Sequence, residues 1–453
     1  MRTGRYGRNL VRFIPVLCVG ILLLNTYGLY KFAYFGADAF NNLDLVQVKS
    51  FPQMVGYILN PVSSYFRPAG MMCYWLLLRF FDLNPVIYRC LMWSLHAANT
   101  ALGYFILKRL TGSQPGAAVG AMLFASQAVF AEIYWNFGAI FELIAAFFSF
   151  VAILLWICER RSWLQVLLAS LALLLAVKGK EMALSIPVIW FSYDLLLRRD
   201  MKRMMAAHWV LPSGLVVWYG LSHALAMRGI VADHPYYMSI KWSILATGFG
   251  TYFNMLFGTQ FPWQIWWIWA LVLLLIFVLL RSRVALFFQL YVFITFLPVI
   301  FLVNHRVALF WYLPFLGVCG LAAILASAVA RVIKARNPRW LAESGASAVF
   351  ALLCWGSFLL HKEATVSQRN WIRDYAGECH AFVLGLRALP PPPWGETIFF
   401  NSLPPHFEES VLLTATQVTL RRTDLHTKLV SEFPPEARYR LRFQASRLIQ
   451  LPR

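Results

Sequence analysis

The chain has 453 residues, of which 60% are hydrophobic and only 13% charged, and its mean hydropathy is +0.61. Apolar runs near twenty residues recur along it, the length needed to cross about 30 Å of hydrocarbon, which excludes a set of soluble domains and, for want of roughly ten-residue alternating segments, a β-barrel. A formal net charge of +20 would suit a polyanion, but Lys and Arg cluster at the ends of apolar runs, which marks membrane topology and excludes a nucleic-acid partner.

The chain opens on MRTGRYGRNLVR and an apolar stretch with no small-x-small cleavage site. That pattern reads as a retained signal anchor with a cytoplasmic N-terminus. Helical spans are expected near 13–30, 86–107, 115–133, 138–158, 162–177, 183–197, 207–227, 262–280, 284–303, 308–330 and 342–361. The inner segments that result carry 18 Lys and Arg and the outer ones 9, although the outer ones are about twice as long. That asymmetry obeys the positive-inside rule.

Residues 67–83 are apolar too, yet making them a span would put LLLRRDMKRMM and RVIKARNPR outside. They are expected to form a helix lying along or dipping into the outer face, with Tyr65, Tyr74 and Trp75 at interfacial depth. FPWQIWWIW at 261–269 reads as an interfacial aromatic belt, and His96 and Asn99 as hydrogen-bond partners between helices. RRDMKRMM is a topology signal, with anionic-lipid contact as a lesser role. Six of seven cysteines lie in apolar runs, Cys379 has no evident partner, and no disulfide framework is visible. After residue 361 the charge becomes mixed, PPPP breaks the chain at Pro390–Pro393, and a strand is expected at Thr397–Asn401.

Charges in a chain so poor in them demand a reason. Lys178, Lys180 and Glu181 interrupt AVKGKEMALSIP at the outer end of the fifth span. Lysines there can snorkel to headgroups with the glutamate neutralising them. Others fall on the same face: Asp38 and Asp44 in FGADAFNNLDL, Arg67 in SSYFRPAG, Glu132 and Glu142 at facing span ends, and His305 and Arg306 in NHRVALFWYLP. Each alone is an anchor; together on one rim they suit transfer from a phosphate-activated donor. A carboxylate takes the acceptor's proton, and Lys and Arg stabilise the phosphate that leaves. No nucleotide loop or His/Cys metal knuckle is present, so the donor must be carried by the membrane.

Five stretches in order resemble the GT-C superfamily of polytopic glycosyltransferases. The closest resemblance is to bacterial relatives of the transmembrane and tetratricopeptide-repeat O-mannosyltransferases, and a more distant one is to lipid A aminoarabinose transferases. YFRPAGMMCYWLLLRFFDLNP and LHAANTALGYFILKRL match two of them; VFAEIYWNFGAIFELIAAFF places Glu132, Gly138 and Glu142 in register; VKGKEMALSIPVIWFSYDLL aligns Lys180 and Glu181 with a Lys-Glu pair; NHRVALFWYLPFLGVCG aligns Arg306 with an arginine. The chain departs where the family has a tandem acid pair (Asp38 lies between alanines), a His-Pro (here Val129-Phe130) and an arginine before Glu142.

The resemblance implies an all-α polytopic membrane protein of GT-C type. It would have about 11 transmembrane helices, a long first extracytoplasmic loop with juxtamembrane helices, and a small C-terminal extracytoplasmic α/β or irregular domain. Residues 1–361 would form the membrane-embedded domain and 362–453 the other. The implied activity is transfer, with inversion, of a sugar from a polyprenyl-phosphate donor to a glycan, lipid or protein acceptor outside a bacterial inner membrane. Asp38 would be the base and Asp44 its rival. Arg67, Lys180, His305 and Arg306 would hold phosphate, with Glu132, Glu142 and Glu181 orienting them or the sugar. No metal site or certain cofactor is named, and a divalent cation stays open. A flippase of a lipid-linked substrate and an inactive scaffold of the same fold are the alternatives.

Overall fold

The computed structural model describes residues 34–60, 67–158, 162–199, 207–226, 229–259, 282–336 and 339–452, with isolated positions 262, 271 and 275. The expected span 13–30, most of 262–280 and the aromatic belt lie outside the described residues.

The described residues before Asp82 form three short helices. α1, Ala37–Gln47, follows an extended Gly36 and carries Asp38 in its first turn, where a negative charge is favoured by the helix dipole. α2, Phe51–Leu59, starts with a capping box between Ser50 and Gln53. α3, Pro68–Phe81, has proline in its first turn and stops at Asp82, whose φ is +53°. This is the helix expected over 67–83. It lies close on the bundle at Gly70, where an added Cβ would fall 2.2 Å from the Phe141 ring.

The bundle begins with α4, Pro85–Thr111, ended by Gly112 at φ +65°. α5, Gln114–Ala125, packs on α4 and on α12, Phe315–Arg336. Its GAAVG stretch makes the crossing close: a Cβ on Gly116 would sit 2.4 Å from the Ala323 carbonyl oxygen, and one on Gly120 2.7 Å from that of Cys319. α6, Ile140–Trp156, runs beside α7, Trp163–Gly179. His96 and Asn99 are paired inside the bundle, as expected. The His96 ring meets the Tyr312 hydroxyl at 2.7 Å, and Asn99 Nδ2 donates to the Leu143 carbonyl at 2.9 Å.

Several expected spans are interrupted. The span 115–133 is α5 followed by a 3₁₀ segment, Ala128–Tyr134, bent away by 59°. The span 183–197 is a 3₁₀ segment Glu181–Ser185, then α8, Ile186–Tyr193, then a π turn, Asp194–Arg198. Later come α9, Val210–Ala226, α10, Trp242–Phe257, and α11, Arg283–Ile300. Among the described residues, three helices are long and apolar enough to cross a membrane unaided: Phe137–Trp156, Arg283–Ile300 and Phe315–Val332. The bent pair makes a fourth if it counts as one span. Trp163–Gly179 and Val210–Ser222 are apolar but shorter, and α4 carries Arg89, His96 and Asn99 along its length.

α13, Arg339–Arg387, is 49 residues long and runs unbroken past the expected domain boundary at 361. Beyond the proline run lies a four-stranded sheet in the order β2-β1-β3-β4. β1 is Thr397–Phe400, within the strand expected there, and α14, Glu409–Leu420, connects it to its parallel neighbour β2, His426–Leu429. β3, Tyr439–Gln444, is parallel to β1 and antiparallel to β4, Arg447–Gln450. The hairpin turn uses Ala445 and Ser446, both at positive φ, the two-residue pattern that matches strand twist. Phe382 of α13 packs on Phe400 and Phe407 at 5.7 and 4.7 Å between ring centres, closing this small α/β core. Asp82 ties it to the helical part, accepting from Arg387 at 2.6 Å and Arg421 at 2.7 Å.

Candidate active site

A cavity of about 650 Å³ opens between α1, α3, the start of α6, the end of α7 and the segments around His234 and His305. α1 turns Asp38, Asn41, Asn42 and Leu45 toward it, the i, i+3, i+4, i+7 face of one helix. Asp38 sits against Gly138, whose absent Cβ would lie 3.6 Å from that of Asp38. Asp44 is on another face of α1, taking a hydrogen bond from Gln47 at 2.5 Å. Burial pushes its carboxyl up, against the Gln47 bond.

The opposite wall supplies two more acids. Glu132, on the 3₁₀ segment, accepts from Asn136 Nδ2 at 2.6 Å, and Asn136 Oδ1 in turn accepts from the Gly138 amide at 2.8 Å. Glu142 lies in the first turn of α6 and forms an ion pair with Lys180, the residue that ends α7 in an extended conformation. The two side chains are only 4% and 7% exposed. The Lys180 ammonium also lies 4.9 Å from the centre of the Phe310 ring.

Arg67 precedes α3 and reaches across the cavity. Its Nε is 3.2 Å from Glu181 Oε1, and its Nη2 is 3.1 Å from the Tyr236 hydroxyl oxygen. The guanidinium is flanked by the Phe141 and Tyr236 rings, each 5.5 Å away. Burial works against its charge, but Glu181, Tyr236 and Glu142 outweigh burial and hold it more firmly protonated than usual. His305 lines the cavity with its ring 5.2 Å from Tyr236 and 5.6 Å from Phe310. Burial, then the charges of Lys180 and Arg67, push its imidazole below the ordinary range.

Of the residues singled out in the sequence, the cavity brings together Asp38, Arg67, Glu132, Glu142, Lys180 and His305, with Glu181 bound to Arg67. Asp44 and Arg306 are not on its wall; Arg306 Nε donates to the Leu302 carbonyl at 3.1 Å. Lys178 lies apart, its ammonium donating to the Asn60 carbonyl beside Trp218 and Tyr219. Asn136, His234 and Tyr236 line the cavity although the sequence did not single them out. The HPYY stretch that holds two of them was legible only as part of an outer segment. Among the described residues no group of three or more His, Cys, Asp and Glu is placed to hold a metal ion. Asp38 makes no hydrogen bond or ion pair with a described residue, while Glu132 and Glu142 are both engaged.

No family model matches the sequence, and no curated protein matches it either. Solved structures do match. ArnT from Cupriavidus metallidurans bound to undecaprenyl phosphate superposes with a TM-score of 0.53 over 91% of this chain and 85% of its own, at 12% identity. The apo form of the same protein gives 0.54 over 90% and 84%, at 13% identity. This chain has their fold. It is a polytopic helical membrane protein of GT-C-like architecture with a small C-terminal sheet domain. The match is to the group that the sequence motifs resemble more distantly.

Proposed function

We propose that this chain is an integral-membrane glycosyltransferase that moves a sugar from a polyprenyl-phosphate donor to an acceptor hydroxyl, with Asp38 as general base. The observation that carries the reading is the Asp38 carboxylate, unengaged among the described residues, on the wall of a cavity that also holds two positioned cations, the buried Lys180 and the largely buried Arg67. Asp38 takes the acceptor proton as the acceptor oxygen attacks the anomeric carbon. The bond from that carbon to the phosphate oxygen breaks on the opposite face, so the configuration inverts. Arg67 and Lys180 stabilise the charge that gathers on the leaving phosphate. The likeness to a structure bound to undecaprenyl phosphate supports a donor of that class, and the distribution of Lys and Arg supports a site on the outer face of a bacterial inner membrane.

The test is transfer by the purified protein from a panel of polyprenyl-phosphate sugars to cell-derived glycolipids, glycans and proteins, followed by mass. Asp38→Asn should lower the rate by about 10² to 10⁴, and Asp44→Asn should leave it within a few-fold of wild type. Wild-type turnover in Asp38→Asn refutes the base. Donor binding without release of polyprenyl phosphate would mark a scaffold, and movement of the intact donor across a vesicle would mark a flippase.

A further inference from the structure

α13 does more than link the bundle to the sheet domain. Past the bundle it carries Trp371, Tyr375 and Cys379 at fourth positions on one face. The Tyr375 hydroxyl accepts a hydrogen bond at 2.8 Å from the Ala37 amide, one of the N–H groups that the start of α1 leaves without a helical partner. Ala37 is followed by Asp38. The Tyr375 ring lies so close on the preceding residue that a Cβ at Gly36 would be 2.9 Å from its Cε1 atom, so the contact requires glycine there.

The same helix touches the opposite wall. Trp371 stacks on Tyr375 with ring centres 5.0 Å apart and planes at 16°, and Trp135 meets Trp371 edge-on at 5.6 Å. Trp135 ends the 3₁₀ segment that carries Glu132, and the next residue, Asn136, bonds both Glu132 and the Gly138 amide. Gly138 is in turn the residue against Asp38. The contacts close a ring: Asp38, its helix start, Tyr375, Trp371, Trp135, Asn136, and back through Gly138. One turn further along α1, Thr414 of the sheet domain donates to Asn41 at 2.9 Å.

We infer that Tyr375 and Trp371 are positioning residues that fix Asp38 relative to Glu132, so that the C-terminal part of the chain sets the geometry of the base. This rests on the glycosyltransferase reading above. α13 brings no group to Arg67 or Lys180 among the contacts described, so the effect belongs to the chemical step and not to the donor phosphate.

The experiment is kinetic, with an independent structural readout. Tyr375→Phe keeps the ring and its stack and removes only the hydroxyl. Its kcat should fall about tenfold, a fraction of what a 1 Å misplacement of a catalytic group costs, with the donor KM and the melting temperature unchanged. In an Asp38→Asn background the same substitution should cost nothing further, because it acts through Asp38. Hydrogen exchange at residues 37–41 should quicken in Tyr375→Phe while that of α2 stays as it is. Wild-type kcat, a raised KM with kcat intact, or a full additional loss in the Asp38→Asn background each overturns the inference. If the wild-type protein transfers no sugar at all, the glycosyltransferase reading falls, and the exchange measurement alone then decides whether Tyr375 holds the start of α1.

Discussion

The Lys180–Glu142 pair separates what holds this cavity together from what would make it work. Lys180→Met removes one partner and leaves Glu142, only 4% exposed, without its ion pair, with Arg67 acting on it only through space. Breaking a buried pair in this way costs about 3 to 5 kcal/mol. A chain of 453 residues unfolds with an entropy near 1 kcal/mol/K, so the melting point should drop by about 3 to 5 °C at pH 7. Tryptophan fluorescence of the detergent-solubilised protein reads the shift. Lys180→Met combined with Glu142→Leu replaces the pair by apolar groups and should recover most of the stability. Sugar transfer should stay down by about 10² to 10³ for want of the cation. A single variant that melts with the wild type at pH 7, or a double variant less stable than the single, refutes the reasoning.

Two further outcomes follow from the same wall. Burial and two neighbouring cations hold the His305 imidazole below its ordinary value, so the unfolded chain binds a proton before the folded one does; stability should fall as pH drops below about 6.5, and His305→Gln should flatten that part of a melting-point profile. Arg67 is held by the Tyr236 hydroxyl and two ring faces as well as by Glu181, so Glu181→Gln should leave it in place while removing a competitor for phosphate; donor KM should fall several-fold, and a rise would show that Glu181 is what positions Arg67.

Much of this was legible in the sequence, and where it was not, the reason is physical. Apolar runs and basic flanks mark helices because hydrocarbon admits little else. The strand after the proline run and the helix over 67–83 could be read for similar reasons. The breaks were harder. α5 stays apolar through its 59° bend, so hydropathy alone does not register the turn at Ser126 and Gln127 that aims Glu132 into the cavity. Asp38 and Asp44 could have been told apart, since Asp38, Asn41, Asn42 and Leu45 share a helical face that Asp44 does not. His305 and Arg306 are adjacent in a turn, where no period says which one faces inward.

What no local pattern carries is the pairing. Glu142 meets Lys180 across 38 positions and Arg67 meets Glu181 across 114, so each cation of the cavity is set by a carboxylate from a different part of the chain. That arrangement bears on how a phosphate would be held. A free lysine or arginine in a dry cavity would have to bear its own desolvation, whereas a paired one is already neutralised and fixed in direction. In the proposed reaction, a phosphate arriving on a lipid would meet charges whose orientation has been settled by folding, and it would need only to share them with Glu142 and Glu181. Asp38, which has no such partner among the described residues, would keep its carboxylate for a proton in the proposed reaction. On the proposed reading, the division of labour among these acids would follow from the partner each found, a cation for Glu142 and Glu181 and Asn136 for Glu132, and that is a property of the packed bundle.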